Sequence, residues 1–253
     1  MLFEMLSVKN KIVTPVFPSS QSLPVEWGVT TRDNPFFFSG TSDLLIPKKT
    51  SPLFEFWPEF KKGVFPEQVH ESKVKFLFEE NLRKESVPQI IPKTDGLLTS
   101  ASGPTLAILT ADCLPIFFFV PDPLTIGIVH AGWRGSAAAI ARTAVEKLRR
   151  TTRQSPEKFL VTFGPCIGAC CYEVGAEFGK LFWDSVTERE GSWYLDLVKE
   201  NRHQLKKAGV REENMGEHPP CTFCHPDNFY SYRREKEKAG RMVSWIRIKN
   251  MVS

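Results

Sequence analysis

Residues 105–135 read TLAILTADCLPIFFFVPDPLTIGIVHAGWRG, and the way this stretch divides decides the fold. Leu114 to Val120 and Thr125 to Val129 are short apolar runs on either side of Pro121-Asp122-Pro123, the pattern of two strands joined by a turn. Because the turn reverses the chain, the start of the first strand and the end of the second share one rim, which brings Cys113 beside His130. After His130 the chain turns through two glycines into a helix, predicted from Ser136 as its N-cap to Arg150. Ile140, Ala141, Ala144, Val145 and Leu148 form its apolar stripe, opposite Arg142, Glu146, Lys147 and Arg149. Upstream, Asp95 to Thr99 and Thr105 to Leu109 flank the Gly103-Pro104 turn and are expected to pair as a hairpin.

Working outward, Val25 to Thr31 reads as a strand ended by the turn Arg32-Asp33-Asn34-Pro35, after which the chain is apolar but irregular through Trp57. Val64 to Val69 and Lys73 to Phe78 read as strands with His70 and Glu71 at the bend between them. Phe159 to Phe163 is a further strand. Helices are expected over Val174 to Trp183 and over Leu195 to Ala208, the second stopped by Gly209 with Lys206 and Lys207 in its last turn. Asn228 to Tyr232 and Met242 to Ile248 alternate as strands do. Interleaved strands and helices, with hairpins among the strands, predict an α+β (mixed α/β) fold of mixed sheets flanked by helices. No repeat, low-complexity linker or hinge marks a boundary, so one compact domain is expected over residues 1–253.

The composition narrows the function classes. Of 253 residues, 42% are hydrophobic, and 20 Phe supply a bulky aromatic core. The net charge of +4 comes from 33 basic and 29 acidic residues that intermix, so no block of one sign points to nucleic acid or a membrane surface. Met1 to Val16 carries charges within its apolar stretch and lacks a small-residue cleavage site. The longest apolar run, Thr105 to Val120, is broken by Asp112 and Pro115 and falls short of the roughly 20 residues needed to span a bilayer. A cytoplasmic protein is expected, in which six Cys remain thiols with metal, reactive or buried roles.

The chemistry concentrates at three strand ends. His70, Cys113 and His130 offer two imidazoles and a thiol, a set of three zinc ligands that leaves a fourth tetrahedral position open for chemistry. Each alone has a bland reading, a hydrogen-bonded His or a buried thiol; the metal reading rests on the set. Asp112 has three candidate roles: orienting a ligand imidazole, carrying a proton, or capping a loop. Gly132 and Gly135 let the backbone present amides to an anion, with Arg134 adding a charge; the alternative is a tight strand-to-helix connection with a solvated Arg. Cys221-Thr222-Phe223-Cys224-His225 resembles a haem c attachment sequence, but this N-terminus shows no export signal. It also matches half of a zinc deaminase signature whose other half, His-X-Glu, none of the five His supplies. A structural zinc at Cys221, Cys224 and His225 is a further reading, opposed by the strain that neighbouring Cys224 and His225 would meet in sharing an ion. Cys166, Cys170 and Cys171 read as redox-active or buried loop thiols. Arg233, Arg234 and Arg241 could clamp phosphate, although exposed Arg pairs are usually solvated.

In sum, QVH at 68–70, TDG at 94–96, TADCLPI at 110–116, HAGWRG at 130–135, GPCIGACCYEVG at 164–175, CTFC at 221–224, FYSYRR at 229–234 and AGR at 239–241 resemble the YfiH-type family. These proteins are also called multicopper polyphenol oxidoreductase or laccase-domain proteins and are viewed as zinc-dependent purine nucleoside phosphorylases. The motifs cover about residues 64–245, leaving 1–63 as a divergent N-terminal part of the same domain. The resemblance implies an α/β-type domain of mixed sheets and a metal triad of His70, Cys113 and His130. It also implies phosphorolysis of adenosine, inosine and S-methyl-5′-thioadenosine, with adenosine deamination as a side activity. Phosphate is then expected at Arg134, the amides of Gly132 to Gly135, and Arg32 or Arg233, in a monomer or homodimer. The chain departs from the family after Thr30-Thr31-Arg32, where Asp33-Asn34-Pro35-Phe36 replaces a glycine-rich segment. Competing readings are a copper-dependent phenol oxidase, a Cys113-nucleophile hydrolase, and a scaffold in which zinc only steadies the fold.

Overall fold

Three sheets carry the chain in a computed structural model that describes residues 7–9, 12–18, 23–32, 63–83 and 88–249. The irregular stretch from Asp33 to Trp57 lies outside these residues. The strands are β1 (Ser7–Lys9), β2 (Ile12–Thr14), β3 (Val25–Thr30), β4 (Gly63–Pro66), β5 (Val74–Leu77), β6 (Gln89–Ile91), β7 (Gly96–Thr99) and β8 (Thr105–Thr110). They continue as β9 (Leu114–Val120), β10 (Thr125–Ala131), β11 (Leu160–Phe163), β12 (Glu173–Val174), β13 (Val186–Arg189), β14 (Ser192–Leu195) and β15 (Met242–Ile248). The first sheet has the order β1-β2-β3-β15-β8-β4-β6, the second β11-β9-β10-β7-β5, and the third β12-β14-β13. Parallel pairs (β4 with β6 and β8, β5 with β7) sit among antiparallel ones, so the two large sheets are mixed, and among the described residues none closes into a barrel.

The position of the five-stranded sheet follows from its composition. Every residue of β9 and β10 is buried, as a strand covered on both faces requires. Their side chains alternate between two cores. Phe117, Phe119, Ile126 and Ile128 pack against Leu106, Ile108 and Ile246 of the seven-stranded sheet. Phe118, Val120 and Val129 pack against Ile140, Ala141, Val145 and Leu148 of the helix Ile140–Thr152 on the other side. The register sets His130 opposite Pro115 and Ala131 opposite Leu114, so Cys113 and His130 end adjacent strands on one rim.

Four expectations are corrected. Gly96–Thr99 and Thr105–Thr110 do not form a hairpin: β7 pairs with β10 and β5, while β8 pairs with β15 and β4, and residues 100–104 cross from one sheet to the other. The Gly103 turn (φ 110°) is real, but strands buried on both faces take partners from different layers. The helix expected from Ser136 is broken at Ala139 (φ 59°) into Trp133–Ala137 and Ile140–Thr152. Ser136 does not cap it; its hydroxyl accepts from Asn201 Nδ2 (2.9 Å) and its carbonyl from Gln204 Nε2 (2.6 Å), both on the helix Leu197–Lys207. Glu173–Val174 is a strand on β14, which leaves only Phe178–Leu181 helical where a helix over Val174 to Trp183 was expected. Asn228 to Tyr232 is no strand; it leads into the helical turn Tyr232–Glu235, capped by Ser231 Oγ accepting from Arg234 N at 3.3 Å. No helix among the described residues is long and apolar enough to cross a membrane.

Because β9 has no solvent face, Phe117→Ala and Phe118→Ala should each cost about 3–5 kcal/mol of stability, although they belong to different cores. Urea unfolding of both variants checks this; a near-neutral result for either would mean that one face of the sheet is uncovered.

Candidate metal centre

Three strand ends meet at the rim, and one carboxylate arranges two of them. Asp95, fully buried just before β7, accepts from the backbone N–H of His70 (Oδ1, 2.9 Å) and of Glu71 (Oδ2, 2.9 Å). His130 Nδ1 lies 3.0 Å from Asp95 Oδ1, and the backbone N–H of His130 donates to the Asp95 carbonyl at 2.8 Å. An ionised carboxylate accepts a hydrogen bond from Nδ1–H and so keeps the proton on that nitrogen, which leaves Nε2 of His130 free to ligate. Gln68 helps to place the bend: its side-chain amide donates to the Leu109 carbonyl (2.7 Å) and accepts from the Leu109 N–H (2.8 Å), extending β8 beyond the end of its pairing with β4.

One donor atom each from His70, Cys113 and His130 lies within 4.8 Å of the others, and the imidazole rings meet edge to face at 4.8 Å. Nitrogen and sulfur atoms so spaced can share one ion at bond lengths of about 2.0–2.3 Å. A Cβ at Gly132 would stand 3.0 Å from Cys113 Sγ and 3.5 Å from His70 Cδ2, so this glycine keeps open the place where the donors converge. A Cβ at Gly135 would stand 2.9 Å from the Glu71 carbonyl, so this glycine admits the bend that carries His70. Burial raises the Cys113 thiol, but the charge and hydrogen bonds of His130 and His70 outweigh it and bring its pKa down to about 6. Burial likewise opposes protonation of His130, and the Cys113 thiolate and Asp95 override it, raising that pKa to about 9. Without metal, the pair is a thiolate beside an imidazolium.

Of the roles open to Asp112, the geometry shows a tie between segments. Its carboxylate accepts from Thr222 Oγ1 (2.6 Å), Ser231 Oγ (3.0 Å) and the Arg233 N–H (2.7 Å), and the orienting contact to His130 belongs to Asp95. Gln68, His70 and Asp112 all have left-handed backbones (φ 58°, 62° and 89°) although none is glycine. Such strain persists where surrounding bonds fix it, as the Gln68 amide, Asp95 and the three donors to Asp112 do here.

His70, Cys113 and His130 open into a cavity of about 620 Å³. Trp133, Tyr172 and Tyr232 give it aromatic surface, and Arg134, Arg233, Lys236 and Arg241 face it with Asp112 as its one carboxylate. Arg134 lies over the Trp133 ring (4.2 Å) and Arg233 over the Tyr172 ring (5.3 Å). Of the sequence-derived phosphate candidates, Arg134, Arg233 and Arg241 therefore line the cavity, and Arg32, Arg234, Gly132 and Gly135 do not. Arg32 is bound to Glu235 (2.6 Å) outside it, and Gly132 and Gly135 serve close packing instead. Sequence reasoning did not assign a role to Asp95, Gln68, Tyr172 or Lys236. The signal for Asp95 was present in TDG at 94–96, an acidic residue at the start of a fully apolar strand.

The chain matches the family described as multi-copper polyphenol oxidoreductase laccase over residues 54–249, and it belongs to that family. Among its relatives, it is 36% identical over 167 residues to the purine nucleoside phosphorylase YlmD of Geobacillus stearothermophilus, a match covering 62% of this chain and 60% of that protein. It is 38% identical over 183 residues to a purine nucleoside phosphorylase of Xylella fastidiosa, covering 66% and 68%. The crystal structure of YlmD from Geobacillus stearothermophilus superposes with a TM-score of 0.81 at 27% identity, covering 97% of this chain and 99% of that one. The Bacillus licheniformis protein YfiH superposes at 0.77 and 29% identity, covering 89% and 93%.

In metal-free protein, alkylation of Cys113 should rise with pH through a midpoint near 6, well below the ordinary thiol value of 9.0. His130→Ala removes the neighbouring cation and should move that midpoint upward. Peptide-resolved mass spectrometry of iodoacetamide-treated protein over a pH series reads both.

Proposed function

We propose that this protein is a purine nucleoside phosphorylase acting through a zinc centre held by His70, Cys113 and His130, in one catalytic domain working in the cytoplasm. The observation that carries the reading is a single cavity in which this donor set opens onto four cationic side chains and an aromatic wall. The names of the relatives support the reaction class. The proposed substrates are adenosine, inosine and S-methyl-5′-thioadenosine with inorganic phosphate, and adenosine deamination is the proposed side activity.

Phosphorolysis needs phosphate held against the sugar carbon while the glycosidic bond loosens and the purine leaves with a proton on a ring nitrogen. Arg134, Arg233, Lys236 and Arg241 supply the charge that binds phosphate and orients it against the sugar carbon. Trp133, Tyr172 and Tyr232 offer flat faces to the purine, and a cavity of this size takes a nucleoside with its co-substrate. Zinc, when bound, supplies a Lewis acid with one position open to a substrate atom or water. Asp95 keeps His130 in the ligating tautomer, and Asp112 holds Arg233 at the cavity wall through its backbone N–H.

A copper oxidase fits less well: among the described residues, the clusters able to hold a metal contain two imidazoles in all, short of what several coppers need. The Cys113 and His130 ion pair favours one second reading, a metal-free hydrolase with Cys113 as nucleophile. Incubation with inosine should release hypoxanthine and ribose 1-phosphate only when phosphate is present. Stripping the metal should abolish this turnover, and zinc should restore it. Turnover that persists in chelator-treated protein would favour the nucleophile, and absence of phosphate-dependent product would overturn the phosphorylase. Asp95→Asn should weaken metal binding about 10–100-fold, as competition with a chromophoric chelator would read.

A further inference from the structure

Cys170, Cys171, Cys221 and Cys224 come from segments about 50 residues apart, yet their sulfur atoms all lie within 4.8 Å of one another. None is in a disulfide. Cys224 Sγ is 3.6 Å from Cys170 Sγ and 3.4 Å from Cys171 Sγ. A disulfide would bring two sulfurs to about 2.05 Å. Four thiolates around a tetrahedral zinc, with Zn–S of about 2.3 Å, stand about 3.8 Å apart. The observed spacing is that of ligands around a common centre.

The backbone is arranged for the same end. Cys166 and Cys221 form a parallel bridge, with the Thr222 N–H donating to the Cys166 carbonyl (2.9 Å), which sets the two loops side by side. The Gly168 N–H donates to Cys221 Sγ at 3.2 Å, and the Cys224 N–H bonds the same sulfur, the kind of donor that steadies a ligating thiolate. A Cβ at Gly168 would lie 3.2 Å from Cys170 Sγ and 3.3 Å from Cys221 Cβ, so the loop approaches the sulfurs as closely as a glycine allows. Arginines flank the group: Arg189 donates to the Ala169 carbonyl, and Arg234 Nη1 donates to the carbonyls of Thr222 and Phe223 (both 2.9 Å). Four thiolates on a divalent ion carry two net negative charges, and Arg189 and Arg234 bring positive charge to the two loops that hold the ligands.

We propose that Cys170, Cys171, Cys221 and Cys224 form a second zinc site, closed by four thiolates and separate from the His70, Cys113 and His130 centre. With no position open it is structural. Binding releases the thiol protons to solvent and forms four Zn–S bonds, with no change of oxidation state. The site fastens two loops that shape the cavity. Thr222, between two of the ligands, holds Asp112, while Ile167 and Tyr172, on either side of the other two, line the cavity wall.

Protein purified without chelator should hold two zinc ions per chain by elemental analysis. Cys221→Ser with Cys224→Ser should hold one, and Cys113→Ser should also hold one. X-ray absorption of unmodified protein provides a test that needs no variant to fold: two such sites average about 2.5 sulfurs per zinc, whereas the His-Cys-His centre alone gives one. A single zinc with one sulfur ligand, lost in Cys113→Ser and retained in the double variant, would overturn the proposal. An intact mass showing these cysteines as disulfides would also overturn it. Neither outcome depends on nucleoside turnover, so the second site and the phosphorylase reading stand or fall separately.

Discussion

The buried carboxylate of Asp95 is the contact on which the rim depends. Taking a charge out of water is costly, and it is tolerated only where donors surround it. Three do so here: the His130 ring and the main-chain N–H groups of His70 and Glu71. Burial pushes the Asp95 pKa up, but those bonds and the His130 charge more than reverse it, so the group stays ionised. Removing one partner of such a buried pair usually costs about 3–5 kcal/mol. The same residue that keeps one imidazole in register thus also fixes the backbone that carries the other.

The sheets explain why the rim is rigid enough to hold this arrangement. The five-stranded sheet is packed on both faces, so the ends of β9 and β10 cannot shift without disturbing two cores. Cys113 follows Asp112, which is tied to Thr222, Ser231 and Arg233, and the C-terminal segment is thereby drawn over the site. Chemistry-bearing residues from five parts of the sequence are positioned by a few strong polar contacts at the edge of an apolar block.

Much of this was legible in the sequence, and the failures have physical causes. The β9 and β10 pair and its shared rim followed from two apolar runs around a Pro-rich turn, and the apolar stripe from Ile140 to Leu148 is buried as its period required. The same apolar character misled at β7 and β8. A run buried on both faces carries no alternation to say which sheet it joins, and the intervening turn looked like that of a hairpin. Ser136 had the chemistry of a cap, but tertiary partners on another helix claimed it. At the site, metal-ligating residue types stood out, whereas Asp95 and Gln68 act through backbone groups that no side-chain pattern announces. Cys170 and Cys171 could not be joined to Cys221 and Cys224 because their proximity comes from a two-residue bridge between distant loops.

The place of β15 has a bearing on how the molecule is made. This last strand lies between β3 and β8, and it is the link that joins β1, β2 and β3 to the rest of the seven-stranded sheet. During synthesis, β3 and β8 wait with unpaired edges until residues 242–248 leave the ribosome, a state prone to edge-to-edge association. The segment that supplies Ser231, Arg233 and Arg241 emerges just ahead of that strand. Closure of the sheet and completion of the pocket are therefore one late event, which waits on the emergence of residues 231–248.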